Sequence, residues 1–470
     1  MSVEMRTKKR LPLIVGALAA SVVLTQAAAR LVLLRAQIPQ AAASPEPDAR
    51  FKADILVIVA HPDDETMVTG YLARAIYDEH KRVAAIFGTR GNGGGNAVGY
   101  EQAESLGEIR KIEARKALES FGVMNVWFLN GPDTPSQNVL WSLETWNHGK
   151  SLEEAVRLVR LTRPEVILTW LPGYVAGENH GDHQASGVIA TEAFDMAGDP
   201  TAFPEQLAAP RNRAGIGNLT EGLRPWQPKK IYYFSDASHT EFLEGQGPSY
   251  TTTDVSPSRH APYYRLKAEE MKFHLTQDDT GMMATKALES GDMDYFKQPE
   301  LLILGKSLVG GSTTGDISEG IQPGPIPFAS VPGYRPESPG GVRMELGGSW
   351  AFYREFWKAH GIEHIANLLQ PEVSIGAGNT LYVPLVIHND TARPVDVTLS
   401  VGATSPLKER FGSARYPLRP HDAYPVETGV EVPLGMQHGW TEVSFKAESG
   451  GQRLENIAVR VEVNSGGLPE

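Results

Sequence analysis

A run of five apolar residues, Ile55 to Val59, leads directly into the hexapeptide AHPDDE, Ala60 to Glu65. Such a run, bounded by charged residues, is typical of a buried parallel strand. The imidazole and carboxylates behind it then lie at the carboxyl end of the strand, where open α/β sheets bind their ligands. Mixed nitrogen and oxygen donors suit a borderline divalent metal such as zinc. A purely structural alternative is that Asp63 or Asp64 caps the next helix while Glu65 complements its dipole.

A second group of candidate ligands follows another predicted strand, Val166 to Trp170. It is the sequence HGDH, His180 to His183, in the loop after that strand. Structural zinc is usually held by four protein groups, whereas catalytic zinc keeps three and leaves one position for water. Because the chain has no cysteine, a site closed by thiolates is excluded. The simplest ligand set for one zinc per chain is therefore His61, Asp64 and His183.

The remaining polar residues of the two motifs are the predicted catalytic groups. Asp63 is free to act as general base toward a water whose pKa zinc lowers to roughly 7. His180 would lie on the opposite side and, when protonated, stabilise a developing oxyanion or act as an acid. Asp182 is predicted to fix the tautomer of His180.

Taken together, the two motifs resemble those of the LmbE/PIG-L family of zinc-dependent N-deacetylases, whose second motif is usually HPDH. Gly181 stands where the family has proline, which loosens the loop that carries His180. The resemblance implies a Rossmann-like fold, the same ligands and base, and a substrate of the N-acetylglucosamine type or a related amide. It also implies that Arg110 and Asp133 contact the sugar.

Three features outside the motifs can be interpreted either as functional or as structural. The glycine-rich stretch 88–96 lacks both the G-x-G-x-x-G pattern and a following Gly-Lys-Ser/Thr, which disfavours nucleotide binding. It is either a flexible loop or a substrate-facing one. Arg110 and Glu113 have the i, i+3 spacing of a solvated helix pair. His274, in a helix predicted over residues 263–276, is interpreted as a packing residue.

The 470 residues predict more than one domain. Alternating strands and helices over residues 51–310 predict an α/β domain with an open, mainly parallel sheet. Residues 311–369 are rich in proline and glycine and predict a connector, whose helix 348–360 is expected to dock on the α/β domain. Short alternating runs over 370–470 predict an all-β, immunoglobulin-like sandwich. Since every proposed ligand precedes residue 184, the sandwich is expected to be a spacer or a polymer-contacting or envelope-contacting module that the chemistry does not need.

The amino terminus, residues 1–43, predicts export. Arg6, Lys8, Lys9 and Arg10 precede an apolar stretch and then small residues, the pattern of a signal peptide, or of an anchor if the segment stays uncleaved. The protein is thus expected to be periplasmic, secreted or anchored, with membrane contact only through an uncleaved segment. A net charge of −12 with no basic cluster outside this segment argues against nucleic acid as a partner.

These observations predict an exported zinc-dependent hydrolase that removes an acetyl or other acyl group from an N-acetylated amino sugar, glycoconjugate or related amide. A catalytically silent glycan-binding surface protein, with the sandwich as its working part, is the alternative. Binding alone needs no base beside a metal ligand, which favours the enzyme.

Overall fold

A computed structural model describes residues 47–129, 131–177, 180–207, 223–331, 340–404, 406–411 and 414–464. The predicted signal or anchor, residues 1–43, lies outside these residues. Within the described part of the chain, no helix is both long enough and apolar enough to span a bilayer.

The first domain is built on a six-stranded sheet with the order β3-β2-β1-β4-β5-β8. Its first five strands are parallel, and β8 runs antiparallel to β5. The strands up to this point are β1 (Ile55–Val59), β2 (Val83–Phe87), β3 (Val126–Phe128), β4 (Val166–Trp170), β5 (Lys230–Phe234), β6 (Ser249–Tyr250), β7 (Glu300–Leu301) and β8 (Ile303–Ser307), of which β6 and β7 form a separate pair. The predicted mainly parallel α/β fold is confirmed.

Helices cover both faces of this sheet. Successive side chains of a strand point to opposite sides, so the apolar strands have two faces to bury. Leu56 and Ile58 of β1 belong to one buried cluster, and Val57 and Val59 belong to the other. The helices are α1 (Thr69–Tyr77), α2 (Ala103–Ser120), α3 (Val139–Thr145), α4 (His148–Thr162), α5 (Gly181–Met196), α6 (Tyr263–Met271) and α7 (Met283–Ser290). The chain leaves β1 toward β2 and later returns to β4 on its other side, so the sheet has a topological switch point at β1, where such folds bind ligands.

One helix is shorter than the sequence predicted. The predicted helix 263–276 ends at Met271, and the backbone amides of Phe273 and His274 bond only three residues back. The amide of Thr276 instead donates to Glu113 of α2, 3.1 Å away. This tertiary hydrogen bond replaces the helical one, so the chain turns here and His274 lies in a turn.

The second domain consists of two sheets that enclose one core. Five strands have the order β10-β17-β16-β12-β14, and four have the order β13-β15-β11-β9. Its strands are β9 (Val342–Leu346), β10 (Glu372–Gly376), β11 (Thr380–Asn389), β12 (Val395–Ala403), β13 (Lys408–Phe411), β14 (Arg415–Leu418), β15 (Asp422–Glu431), β16 (Gly439–Ser449) and β17 (Gln452–Asn464). Inward residues of both sheets, such as Val383 and Phe445, are fully buried in the shared core. The predicted all-β sandwich is confirmed.

The segment predicted as a connector contributes to both domains. Strand β9 pairs antiparallel with β11 and buries Met344 in the sandwich core. The following helix α8 (Gly348–His360) docks on the α/β domain, as expected. Its Trp357 donates to the carbonyl of Pro172 at 2.8 Å, and its Tyr353 bonds Gln184 of α5.

Candidate metal centre and active site

The predicted motif residues converge at the carboxyl edge of the parallel sheet. His61 and Asp64 follow β1, while His183 lies in the first turn of α5, after β4. The side chains of all three are buried, with exposures of 8%, 7% and 6%. Their ligand atoms lie within 4.8 Å of one another.

Asp64 is oriented by three hydrogen bonds to one of its oxygens. Oδ2 accepts from the amides of Ala60 and His61 at 2.9 and 2.8 Å and from the indole of Trp170 at 2.7 Å. The other oxygen, Oδ1, lies 3.7 Å from Nδ1 of His61 and 3.5 Å from Nε2 of His183. These hydrogen bonds fold the motif back on the end of β1 and leave Oδ1 directed at both imidazoles.

The second nitrogen of His61 faces a carboxylate. Nε2 lies 3.4 Å from Oδ2 of Asp182, which is fully buried. Asp182 also accepts from the amide and the hydroxyl of Thr134, at 2.8 and 2.7 Å. The structure therefore corrects the expected partner of Asp182: its hydrogen bonds orient His61, and His180 has another acceptor.

His183 also faces a carboxylate, at a distance longer than a hydrogen bond, from a residue that the sequence does not predict. Its Nδ1 lies 3.7 Å from Oδ2 of Asp236, two residues beyond β5. The ring stacks on Trp170 with centroids 4.0 Å apart and planes 3° from parallel. Asp236 occupies the same place after its strand as the motif residues do after theirs, which is the signal that could have identified it.

The charges of the cluster reinforce one another. Burial alone would lower the pKa of His183, but the carboxylates of Asp64 and Asp236 outweigh it and raise this pKa to about 10. For His61, Asp64 and Asp182 outweigh burial in the same way and raise the pKa well above its usual value. Burial opposes ionisation of Asp64, yet the two histidines hold its pKa well below the ordinary range.

These residues fit a divalent cation. Two imidazoles and one carboxylate are a donor set typical of catalytic zinc, and tetrahedral ligand atoms about 2.0 to 2.1 Å from a metal lie roughly 3.3 Å apart. The observed separations of 3.5 and 3.7 Å are close to that value. Each imidazole has a carboxylate behind it, as metal-binding histidines usually do.

Asp63 lies beside these residues in a strained turn. Its backbone is left-handed, with φ of 104°, and its side chain makes no hydrogen bond to the short helix that follows. Instead Oδ2 accepts from the hydroxyl of Thr280 at 2.8 Å. The simple capping interpretation therefore does not describe Asp63. Burial and, next, the charge of Asp64 raise its pKa to about 7.

His180 is brought to the same edge, with its ring centroid 4.8 Å from that of His61. Its Nδ1 lies 3.1 Å from the carbonyl oxygen of Thr134, so this nitrogen carries the proton and Nε2 is free. Burial and the neighbouring His61 and His183 lower its pKa to about 4. Burial therefore makes this ring harder to protonate than the sequence-based mechanism expects.

Arg110 and Asp133 lie around the glycine-rich loop. Arg110 is only 6% exposed and donates to the carbonyls of Gly91 and Gly95 at 2.8 and 2.7 Å. Asp133 accepts from the amide of Gly93 at 2.6 Å, whereas its Oδ1 is buried without a hydrogen-bond partner among the described residues. Arg110 therefore organises this loop, and Asp133 retains one oxygen for another donor. Arg110 and Glu113 are not a solvated pair, because both are buried and both contact Thr276.

A further group of buried residues supports the AHPDDE turn from behind. Glu65 accepts from the amide of Asp63 at 3.0 Å and lies 2.9 Å from Nε2 of His274. His274 is fully buried, and Glu65 overcomes the effect of burial to raise its pKa to about 9. Gln277 donates to the carbonyl of Pro62 at 2.7 Å. His274 is thus more than a packing residue, since it anchors the carboxylate that holds the Asp63 turn.

The fold and the site define a class: α/β proteins with a two-histidine, one-carboxylate cluster at the carboxyl edge of the sheet. Residues 56–194 match the family described as PIG-L, GlcNAc-PI de-N-acetylase. Residues 56–194 are therefore similar to the PIG-L family, as the two motifs predicted.

Curated relatives have similar sequences over this domain. A 1D-myo-inositol 2-acetamido-2-deoxy-alpha-D-glucopyranoside deacetylase of Geodermatophilus obscurus is 31% identical over 166 residues, 32% of this chain and 56% of the relative. The protein of the same name from Streptomyces scabiei is 27% identical over 310 residues, 59% of this chain and 92% of the relative. The chain thus spans just over half the length of the first relative.

Among solved structures, the chain is similar to the N,N'-diacetylchitobiose deacetylase from Pyrococcus horikoshii. The identity is 17% and the TM-score is 0.36, over 54% of this chain and 84% of that one.

Proposed function

We propose that the protein is a metal-dependent N-deacetylase acting on an N-acetylglucosamine-containing substrate. The observation that carries this proposal is the convergence of His61, Asp64 and His183 on one point, with the carboxylate of Asp63 beside them. The domain family and the names of the relatives support an N-acetylated amino sugar as the substrate class.

In this proposal His61, Asp64 and His183 would hold one zinc ion. A bound zinc supplies Lewis acidity, which polarises the acetyl carbonyl and lowers the pKa of water. The residues contribute the orientation: Asp182 orients His61, the carboxylate of Asp236 lies 3.7 Å from His183, and Trp170 fixes both Asp64 and the plane of His183.

Asp63 is the proposed general base. Burial raises the pKa of its carboxyl, which makes Asp63 a stronger base than an exposed carboxylate. Asp63 takes a proton from the attacking water and returns it to the leaving amine. The Thr280 hydroxyl holds its other oxygen in place.

His180 is the second proposed proton-handling group. Because Nδ1 donates to the carbonyl of Thr134, the free Nε2 is the nitrogen that meets the substrate. The neutral Nε2 accepts the second proton of the attacking water as the acetyl group leaves as acetate, and the protonated ring then passes this proton to the freed amine. The free Oδ1 of Asp133 is the proposed acceptor for a sugar hydroxyl, and Arg110 acts by shaping the adjoining loop.

Export is a further part of the proposal and rests on the basic, apolar and small-residue order of residues 1–43. Fusing this segment to a reporter that is active only outside the cytoplasm should give activity, and replacing Lys8, Lys9 and Arg10 by glutamate should reduce it. Retention of the unmodified fusion in the cytoplasm would contradict export.

The central experiment measures acetate and free amine released from N-acetylglucosaminyl-inositol and from N,N'-diacetylchitobiose, together with metal content. We expect about one zinc per chain and turnover of at least one compound. Asp63→Asn should keep the metal but lower kcat by on the order of 10²-fold or more, since the amide cannot take a proton. Asp396→Asn, on an exposed strand of the sandwich, is the matched control.

A metal-free Asp63→Asn would make Asp63 a ligand and reverse the roles of the two aspartates. A wild-type protein that binds zinc and these sugars without releasing acetate would favour the alternative, a silent glycan-binding protein.

A further inference from the structure

The first strand of the sandwich lies against the loop that leads from β4 to the second motif. Strand β10 presents Glu372 and Ser374 on the outer face of its sheet, while Val373 and Ile375 pack toward the sandwich core. Residues 174–177, in the described part of the loop after β4, receive these two polar side chains. The contact therefore joins the second domain to the segment that positions His180 and His183.

Glu372 is a charged side chain buried in this contact, with 2% exposure. Its Oε1 accepts from the amide of Ala176 at 3.0 Å and lies 2.9 Å from Nε2 of His239. Its Oε2 lies 3.4 Å from the guanidinium of Arg460, on the neighbouring strand β17. A buried carboxylate is costly unless it is paired and hydrogen-bonded, so these partners fix its position.

Ser374 makes a second set of bonds to the same loop. Its amide donates to the hydroxyl of Tyr174 at 3.0 Å, and its Oγ accepts from the amide of Gly177 at 3.3 Å while donating to Glu462 at 2.8 Å. The hydroxyl of Tyr174 in turn donates to Gln137, 3.2 Å away. Three residues of the loop, Tyr174, Ala176 and Gly177, are thus hydrogen-bonded to the sandwich.

The loop has little freedom to move without disturbing the site. Gly177 has φ of +99°, and a Cβ there would lie 2.2 Å from the amide nitrogen of Ser238. Ser238 donates to the carbonyl of Ala176 at 2.9 Å, which links this loop to the one after β5 that carries Asp236. At its amino-terminal end the loop begins at Trp170, which contacts both Asp64 and His183.

We propose that the sandwich is a working part of the catalytic unit, in which Glu372 and Ser374 are positioning residues for the loop that presents His180. This rests on the deacetylase function proposed above. It replaces the expectation that the second domain only spaces or attaches the first. Neither residue touches the candidate metal ligands; both act through the backbone of residues 174–177.

Hydrogen exchange in the full-length protein tests the contact without any substrate. The Ala176 and Gly177 amides should exchange faster in Glu372→Ala and Ser374→Ala, while the amides of β1 and β5 remain protected. Asp396→Ala and Ser400→Ala remove matching side chains from exposed positions of the sandwich and should change nothing in the loop. Unchanged exchange of residues 171–181 in a folded Glu372→Ala, Ser374→Ala double variant would overturn the proposal, whether or not the wild type is active.

Kinetics with a small acetamido sugar then test the link to His180. We expect Glu372→Ala to lower kcat by on the order of 10-fold with zinc content unchanged, because small displacements of a catalytic group are costly. Ser374→Thr and Glu372→Gln keep an acceptor oxygen and should recover much of the activity.

A double-mutant cycle separates positioning from general stability. In a His180→Ala background, Glu372→Ala should lower kcat by less than about twofold, since the group that it positions is gone. If the losses of kcat in Glu372→Ala and in His180→Ala simply multiply in the double variant, the sandwich does not act through His180. A Glu372→Ala variant with wild-type kcat would lead to the same conclusion. Absence of acetate release by the wild type would refute the proposed function instead, and the exchange result would still decide the contact.

Discussion

Each candidate metal-binding histidine faces a carboxylate from a different element. Asp182 from the first turn of α5 faces His61, and Asp236 from the loop after β5 faces His183. An imidazole whose second nitrogen donates to a carboxylate presents its lone pair in a fixed direction and is a stronger ligand. The site is therefore held from both sides of β4.

The ligand assignment predicts loss of metal in a single variant. His183→Ala removes one of three protein ligands, so zinc content should fall from about one per chain to a small fraction, together with activity. Elemental analysis after gel filtration measures this directly. His421→Ala, at an exposed position of the sandwich, should retain the metal. Full occupancy in His183→Ala would remove His183 from the ligand set.

The carboxylates behind the ligands predict a graded effect. Asp236→Asn and Asp182→Asn should each weaken zinc binding by roughly 10- to 100-fold, as loss of such supporting groups does. Competition with a chromogenic chelator gives the affinities. Equal zinc affinity in wild type and Asp236→Asn would mean that the 3.7 Å approach of Asp236 to His183 has no energetic weight.

The sequence predicts which residues lie together at this edge of the sheet better than it predicts how they pair. His61, Asp64 and His183 were predicted because two strands end in histidine and aspartate, and parallel strands end at one edge. Two pairings depend on the loop between β3 and α3: Asp182 faces His61, and the carbonyl of Thr134 accepts a hydrogen bond from His180. The path of this loop cannot be predicted from the spacing of apolar residues. Asp236 was missed because a lone aspartate after a strand has no motif around it.

At the scale of elements, close approach of α5 to β4 places His183 over Trp170. Gly187 of α5 makes this approach possible, since a Cβ there would lie 2.3 Å from the carbonyl oxygen of Trp170. The obstacle is backbone, which cannot rotate away. The distance between α5 and β4 could not be predicted from the sequence, because a glycine inside a helix has several structural explanations.

Gly187→Ala should therefore destabilise the protein by about 1–3 kcal/mol through overpacking and should weaken zinc binding as well. Gly149→Ala is the matched change in α4, where nothing lies within 4 Å of the added Cβ. It should be neutral or stabilising by up to roughly 1 kcal/mol, because alanine loses less chain entropy than glycine. Urea unfolding of both variants checks the contrast, and a tolerated Gly187→Ala would contradict the packing argument.

The contact between α4 and α5 predicts a pH dependence of stability. His148 lies 2.5 Å from Glu192, and this hydrogen bond raises the pKa of His148 more than its burial lowers it. A raised folded-state pKa stabilises the fold fully below the unfolded value of about 6.5, and the gain disappears as pH rises through the folded value.

Glu192→Gln should thus lower the free energy of unfolding by less than about 1 kcal/mol near pH 6, since the pair is partly exposed, and by almost nothing near pH 10. Unfolding in urea at both pH values measures the difference. A larger loss at the alkaline pH would reverse the assigned sign.

At the scale of the whole molecule, the chain between the domains belongs to both. The composition of residues 311–369 predicted a connector. Because the segment is rich in proline and glycine, the five-residue strand β9 within it was not predicted. That strand forms an edge of the four-stranded sheet and supplies Met344 to the core, while α8 packs on α5. Such a strand cannot be assigned from its own sequence, because its register is set by β11, more than thirty residues later.

This arrangement predicts where the sandwich can be separated as a folded piece. A fragment of residues 340–464 contains all nine strands, whereas a fragment of residues 371–464 lacks β9 and exposes the edge of β11 together with the cavity left by Met344. Loss of one such buried side chain typically costs about 2–5 kcal/mol, a large part of the stability of a domain this size. The longer fragment should unfold cooperatively, and circular dichroism should give it a clearly higher melting temperature than the shorter one. Met344→Ala in the longer fragment should lower its melting temperature most of the way to that of the shorter fragment. Equal melting temperatures for the two fragments would mean that β9 adds no stability to the sheet. The boundary near residue 370 that the composition suggests would then also be the boundary of the independently stable domain.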